Sequence, residues 1–309
     1  MSERTPGLGA DNAQWVLPAG TAAGDGFDLV VDSRHPGWRH TSLRVLTLGA
    51  GEVREVRLLG TEAVVVPLQG APTVAVDGER FPMAGRVSVF AGPTDVLYVP
   101  AGRALAVTAG DGPVRVALCG ARSTRTDGPV VHLPAADVPL ELRGAGQCSR
   151  EVRNFGVPGV LDADRLIACE VITPGGNWSS YPPHKHDQER PGVETELEEI
   201  YYFELQAEAG APAPEGASPV GYQRVYGTDG RPIDVLAEVG SGDVVLVPHG
   251  WHGPATAPPG YDLYYLNVMA GPGAERAWLI CDDPAHGWVR ATWDGQQVDP
   301  RLPIGKGQA

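Results

Sequence analysis

Residues 175–205 read GGNWSSYPPHKHDQERPGVETELEEIYYFEL. Two histidines, His184 and His186, stand two positions apart. On a β-strand, positions i and i+2 share a face, so both imidazoles can reach one metal ion at about 2.0–2.1 Å. The acidic cluster Glu194–Glu199 then runs directly into the apolar stretch IYYFEL. If Glu199 faces inward, Tyr201, Phe203 and Leu205 line the same face. If Glu198 faced inward, Glu204 would be buried beside it, and a second buried carboxylate is expensive without a partner. Glu199 is therefore the expected inward carboxylate.

Further along, residues 240–255 read GSGDVVLVPHGWHGPA. A strand ends at Pro248, the chain turns at Gly250, and a second strand starts near His252. Spacing alone does not choose between His249 and His252. The same order of Gly, apolar strand and Pro-x-Gly recurs at residues 85–103, GRVSVFAGPTDVLYVPAGR. Glu62, which opens EAVVVPLQG, parallels Glu199 before IYYFEL. A duplicated β domain accounts for both repeats. The first half has no His-x-His before Glu62, so its barrel is expected to be metal-free, a scaffold or a dimerisation domain.

Composition agrees with an all-β chain. The 309 residues include 41 Gly and 29 Pro, and short Val- and Leu-rich runs alternate with these breakers from about residue 27. Such runs suggest sandwiches or barrels. Residues 1–25 read as a loose arm, 26–135 as the first barrel, 136–295 as the second, and 296–309 as a surface tail. Between the barrels, residues 120–150 read as an irregular connection. The stretches 187–196 and 208–219 read as possible lids. Formal net charge is −14, and no basic stripe marks a nucleic-acid surface. No apolar run is long enough to span a membrane and no signal peptide is visible, so a cytoplasmic location is expected. Four dispersed cysteines without a CxxC motif read as buried free thiols. Exposed sheet edges favour pairing, and a homodimer or larger homo-oligomer is expected.

The order His-x-His, Glu, distant His resembles the two motifs of the cupin superfamily. Gly242-DVVLV-Pro248-H-Gly250 fits the second motif, and its histidine is then His252. The resemblance implies a bicupin, two tandem jelly-roll barrels, with one divalent metal held by His184, His186, Glu199 and His252. Such a donor set suits Zn first, and also Mn, Fe or Ni. Longer strings, among them GNWSSYPPHKHD (176–187), LEEIYYFEL (197–205), DVVLVPHGWH (243–252) and YDLYYLNVMAGP (261–272), resemble the 5-deoxy-glucuronate isomerase family of myo-inositol catabolism. A more distant resemblance is to 5-keto-4-deoxyuronate isomerase.

The resemblance implies an aldose–ketose isomerisation of a small uronate through a metal-stabilised enediolate. Candidate bases are His249, three residues before a ligand, and then Asp187. Arg224 is the first candidate for the substrate carboxylate, ahead of Arg153 and Arg190. Tyr201, Gln223 and Tyr264 are expected to line the pocket. Lys185 is expected off the ligand face. A metal-dependent oxygenase or decarboxylase, or a non-enzymatic sugar-binding cupin, are the competing functions on this fold.

Overall fold

The computed structural model describes residues 9–305. It is an all-β, bicupin architecture built from four sheets. The first half pairs a six-stranded sheet (Val131–Leu133, Val96–Val99, Thr61–Gln69, Val114–Arg122, Thr41–Leu48 and Leu29–Val31, in spatial order) with a four-stranded sheet (Val53–Arg57, Ala104–Thr108, Thr73–Val76, Glu79–Pro82). The second half pairs a seven-stranded sheet with a six-stranded one. Glu198–Ala207, Tyr261–Ala270 and Ile167–Thr173 form the middle of the seven-stranded sheet. Gly221–Thr228, Trp251–Thr256 and His184–Lys185 form the middle of the six-stranded one.

The long central strands are apolar on both faces because both faces are covered. In the first half, Ala63, Val65, Leu46, Leu48, Val116 and Leu118 fill the barrel interior. Their neighbours Val64, Val66, Leu43, Val45, Ala117 and Cys119 point the other way and join Ile200, Tyr202, Leu266, Val268 and Ile172 of the second half. The two barrels therefore pack sheet against sheet. The first barrel is a wall on which the second is built.

Charged groups that cross this apolar seam are met either by an opposite charge or by backbone N–H groups. Arg86 of the first half meets Glu170 of the second, and Arg115 meets Glu204. The carboxylate of Glu198 accepts the backbone N–H groups of Arg39, His40 and Thr41 at 3.1, 2.6 and 2.7 Å. Glu62 does the same in reverse, accepting the N–H groups of Asp164, Arg165 and Leu166 at 2.8, 2.6 and 2.7 Å. Glu62 is thus the counterpart of Glu198, not of Glu199; the inward residue beside it is Ala63. The expectation that matched Glu62 to Glu199 was one residue out of register, and one residue reverses the face.

The first and last described segments are tied down. Residues 1–8 of the expected arm lie outside the described residues. The next part of that arm is not loose: Asn12–Trp15 form one helical turn, and Val16–Leu17 pair with Val244–Val245 of the second barrel. Asp234 accepts the N–H groups of Gly9 and Ala10, and Asn12 bonds Leu236 through both backbone groups. The tail is anchored as well, by Asp299 to Ser149 and Asn177, and by Ile304 to Glu151. Of the apolar run Trp278–Cys281, which reads as a strand in the sequence, only Cys281 is in one, the two-residue strand Cys281–Asp282. All four cysteines are free; Cys119 and Cys169 are buried, whereas Cys148 and Cys281 are half-buried. Among the described residues no helix is long and apolar enough to cross a membrane.

Candidate metal centre and active-site cavity

Three neighbouring strands bring the site together. His184 lies directly opposite His252 on one side and Asp282 on the other. Cross-strand partners share a face, so all three side chains point to the barrel interior. His186 follows just beyond the end of the same short strand. Its backbone carbonyl accepts the N–H of Leu197 at 2.8 Å. Glu199 approaches from the facing sheet, between Val247 and Met269.

The result is compact. One ring nitrogen from each of His184, His186 and His252 lies within 4.8 Å of the others, and all three residues are buried. Ring centroids are 4.4 Å apart for His184 and His252 and 4.7 Å for His186 and His252. Oε2 of Glu199 is 3.0 Å from Nε2 of His186 and 3.1 Å from Nε2 of His252.

The hydrogen-bond partners fix which nitrogen is bare. Nδ1 of His186 faces the Leu197 carbonyl at 3.1 Å, and Nδ1 of His252 faces the Gly250 carbonyl at 3.3 Å. A carbonyl only accepts, so both Nδ1 atoms carry the proton. In neutral rings the two Nε2 atoms are then lone pairs, and both converge on an anionic oxygen. Nε2 of His252 is buried without a hydrogen-bond partner. Converging lone pairs of this kind need a cation or an added proton between them. The backbone carbonyls are the outer partners that orient metal-binding imidazoles elsewhere. The donor set therefore fits a divalent metal.

The electrostatics draw positive charge to the same point. Burial, reinforced by the charges of His252 and His186, holds the His184 imidazole well below its ordinary pKa. Burial works against the Glu199 carboxylate, but the two imidazoles of His186 and His252 facing it outweigh burial and bring the pKa down to about 2. For His186 burial is likewise outweighed, by the hydrogen bond and charge of Glu199, and the pKa rises.

The cluster opens through His184 and Glu199 onto a cavity of about 350 Å³, within the ~300–1,000 Å³ typical of small-molecule sites. His184, Glu199, Tyr201, Tyr265, Asn267 and Asp282 line it, together with Arg143, Arg150 and Arg290. Ser180, in the left-handed region at φ 48°, holds the hydroxyls of Tyr201 and Tyr265 at 3.1 and 3.2 Å. Gly253, next to His252, has φ 107°, and a Cβ there would lie 1.8 Å from the Ser180 carbonyl. Gly253→Ala is therefore expected to push the His252 strand away from Ser180 and weaken metal retention, read as metal content after dialysis.

Several expected site residues lie elsewhere. His249 precedes the turn and lines a separate surface cavity with His40, Glu196 and Arg231. Asp187 bonds Lys185 at 2.6 Å and the Gly250 N–H at 2.9 Å. It ties the His-x-His strand to the turn before His252 and does not face the cavity. Lys185 is buried rather than solvated, held by Asp187 and Glu194, each at 2.6 Å. Arg224 turns outward to Asp234 and the Val235 carbonyl. Arg153 is fully buried against Glu151 and the carbonyls of Val89 and Gly92, and Arg190 pairs with Glu194.

Tyr264 faces the first barrel, where its hydroxyl bonds Glu170 at 2.7 Å; Tyr265 takes the place expected for it. Gln223 is buried and inward-facing, with both amide atoms unpartnered, yet it is not among the residues lining the cavity. The stretch 187–196 is pinned through Glu194 to Lys185, Arg190 and the Asp187 N–H. Glu208, at the start of the other expected lid, lines a different cavity beside Arg301.

Arg143, Arg150, Arg290 and Asp282 were not expected from the sequence. They come from the strands beside the connection and from a short turn near the C-terminus, outside the motif. No periodicity in those segments marks them.

Comparison with known proteins places this geometry. The profile of the KduI/IolB family matches residues 15–289. A protein of Geobacillus kaustophilus (strain HTA426) named 5-deoxy-glucuronate isomerase is 41% identical over 276 residues, covering 89% of this chain and 94% of its own length. One of the same name from Bacillus subtilis (strain 168) is 41% identical over 252 residues, covering 81% and 88%. The crystal structure of an IolB-like protein from Salmonella typhimurium LT2 superposes with a TM-score of 0.79 at 32% identity, covering 89% of this chain and 98% of that one. Oxalate decarboxylase of Lactobacillus farciminis, at 13% identity and a TM-score of 0.59 over 87% and 88% of the two chains, shares the bicupin fold. With a family profile spanning nearly the whole chain and the metal-type cluster inside the matched region, the protein belongs to the KduI/IolB family.

Proposed function

We propose that this chain is a metal-dependent aldose–ketose isomerase that converts 5-deoxy-D-glucuronate to 5-dehydro-2-deoxy-D-gluconate. The name carried by the Geobacillus and Bacillus relatives supports the reaction. The observation that carries metal dependence is the convergence of the bare Nε2 atoms of His186 and His252 on the Glu199 carboxylate. His184, His186, His252 and Glu199 would hold the ion, with Zn, Mn, Fe and Ni all chemically compatible. When bound, it supplies fixed positive charge where negative charge develops on the sugar oxygens.

The chain's own residues then move the proton. In an aldose–ketose isomerisation the C2 proton leaves, an enediolate forms, and a proton returns to C1 while the C2 oxygen becomes a carbonyl. Glu199 and Asp282 are the carboxylates lining the cavity. Glu199 is committed to His186 and His252, which leaves Asp282 to carry the proton. Arg290 grips both oxygens of Asp282 and fixes its orientation. Burial pushes the Tyr201 phenol well up and raises that of Tyr265. Both stay protonated and serve as hydrogen-bond donors to the sugar oxygens.

Asp282→Asn is expected to lower kcat by roughly 100- to 10,000-fold, the range for loss of a general base, with a smaller change in KM. A kcat within tenfold of the parent would take the role from Asp282. The reaction itself is tested by NMR of the protein with 5-deoxy-D-glucuronate in deuterated water, with and without chelator. The expected result is chelator-sensitive loss of the aldehyde signal and deuterium in the new hydroxymethyl group. Conversion without deuterium would replace the proton route by a hydride shift. No conversion by folded, metal-loaded protein would reject the isomerase reading.

A further inference from the structure

Three guanidinium groups share one small cavity with the histidine cluster, and they are not equivalent. Arg143 is gripped by both oxygens of Glu141, at 2.9 and 2.7 Å. Arg290 is gripped by both oxygens of Asp282. Among the described residues, Arg150 has no carboxylate partner. Its hydrogen bond goes to the Cys148 carbonyl at 3.0 Å, and its guanidinium lies 5.7 Å from the centre of the Trp293 ring. Yet Arg150 is the most buried of the three, with 5% of its surface exposed.

A buried cation without a counter-charge, placed beside two more of its own sign, is costly. Burial, with help from Arg143 and Arg290 and against the Tyr265 phenol, brings its pKa down to about 10. The group nevertheless remains charged at neutral pH. Glu199, the cavity's other acid besides Asp282, is taken by the histidines. The charge that balances Arg150 must therefore come from what enters the cavity.

We infer that Arg150 is the anchor for the carboxylate of a sugar acid, setting the acid end of the substrate against Arg150 and the reacting end against the histidine cluster. A planar guanidinium pairs with a carboxylate through two parallel N–H···O bonds, which fixes direction as well as position. The anchor selects uronic acids over neutral aldoses of the same shape. Arg143 and Arg290, already neutralised, shape the surrounding field without needing the ligand. The assignment rests on the isomerase reading only for the identity of the sugar.

The test measures binding and turnover separately. Calorimetry with D-gluconate and with neutral D-glucitol, on metal-loaded protein, reads anion preference without any reaction. The parent is expected to prefer the acid, and Arg150→Gln to lose that preference by roughly 100-fold, with Arg150→Lys recovering part of it. In turnover of 5-deoxy-D-glucuronate, Arg150→Gln is expected to raise KM far more than it lowers kcat. Arg143→Gln is the comparison variant, expected to cost less.

Loss of the preference in Arg143→Gln but not in Arg150→Gln would overturn the assignment, as would a parent protein with no preference for the acid. If Arg150→Gln does not fold, the lysine variant decides: unchanged affinity for the acid and unchanged KM in it would overturn the bidentate anchor. A parent that binds D-gluconate selectively but leaves 5-deoxy-D-glucuronate unchanged would sink the isomerase reading and keep the anchor.

Discussion

Replacing Glu198 by alanine is expected to lower the unfolding free energy by about 3–5 kcal/mol, and replacing Glu62 is expected to do the same. Each carboxylate is buried at the seam between the barrels and accepts three consecutive backbone N–H groups from the opposite barrel. Removing it takes away the acceptor of those donors, at about 1–3 kcal/mol for each buried group left unsatisfied, less whatever an incoming water recovers. Glu198 also accepts the Thr41 hydroxyl at 3.0 Å, and Glu62 the Tyr98 hydroxyl at 2.7 Å.

The N–H groups they hold lie at the start of the strands Thr41–Leu48 and Ile167–Thr173, so each clasp fixes where one barrel's strand meets the other's. A loss of this size corresponds to a thermal midpoint lower by roughly 5–8 °C for a chain of this length. Glu198→Gln keeps an acceptor oxygen but loses the charge, and its midpoint is expected to fall between. Urea unfolding of the four proteins checks this. A change below about 1 kcal/mol in both alanine variants would mean that the apolar seam alone holds the barrels together.

The clasp pair also shows where the sequence was legible and where it stopped being so. The period-two rule placed His184 and Glu199 inward correctly as geometry, because each sits on a strand whose alternate residues share a face. The argument against Glu198 assumed that a second buried carboxylate would have no partner. Glu198 and Glu204 are both buried, but on the other face, where backbone N–H groups and Arg115 meet them.

That other face is covered by the first barrel, a fact no local pattern contains. The same ambiguity misplaced Tyr264. Strand Tyr261–Ala270 is buried on both faces, so nothing in DLYYLNVMA says which of two adjacent tyrosines faces the cavity. His249 failed for a different reason: the chain turns between it and the strand Trp251–Thr256, and only the strand carries its residues inward. Arg150 and Asp282 were invisible because they enter the cavity from segments distant in sequence, brought in by sheet pairing alone.

On the proposed metal assignment, substituting any one of His186, His252 or Glu199 is expected to leave the fold intact and abolish metal retention. Tight protein–metal binding of about 10–16 kcal/mol, shared over four ligands, makes each worth roughly 3–4 kcal/mol, or a 100- to 1,000-fold loss of affinity. The fold survives because neither core depends on these residues: the first barrel has an apolar cluster of its own, and the second sheet continues past Glu199 through Tyr201, Phe203 and Leu205.

The three substitutions differ in what they leave behind. His186→Ala and His252→Ala each remove one bare nitrogen facing Glu199 and leave the carboxylate with a single imidazole. Glu199→Gln removes the charge on which the two nitrogens converge, so it relieves the clustered lone pairs while losing the anion that draws the cation in. Its folded stability without metal is therefore expected to match or exceed that of the parent stripped by chelator, whereas the alanine variants fall below it.

Elemental analysis after dialysis, with thermal unfolding in the presence and absence of chelator, separates these outcomes. The parent should lose stability on chelation, since a ion bound only by the folded state stabilises it. The three variants should be indifferent to chelator. Variants that retain a full equivalent of metal would show that the buried histidine–glutamate cluster is held together by a shared proton and that the metal, if any, binds elsewhere.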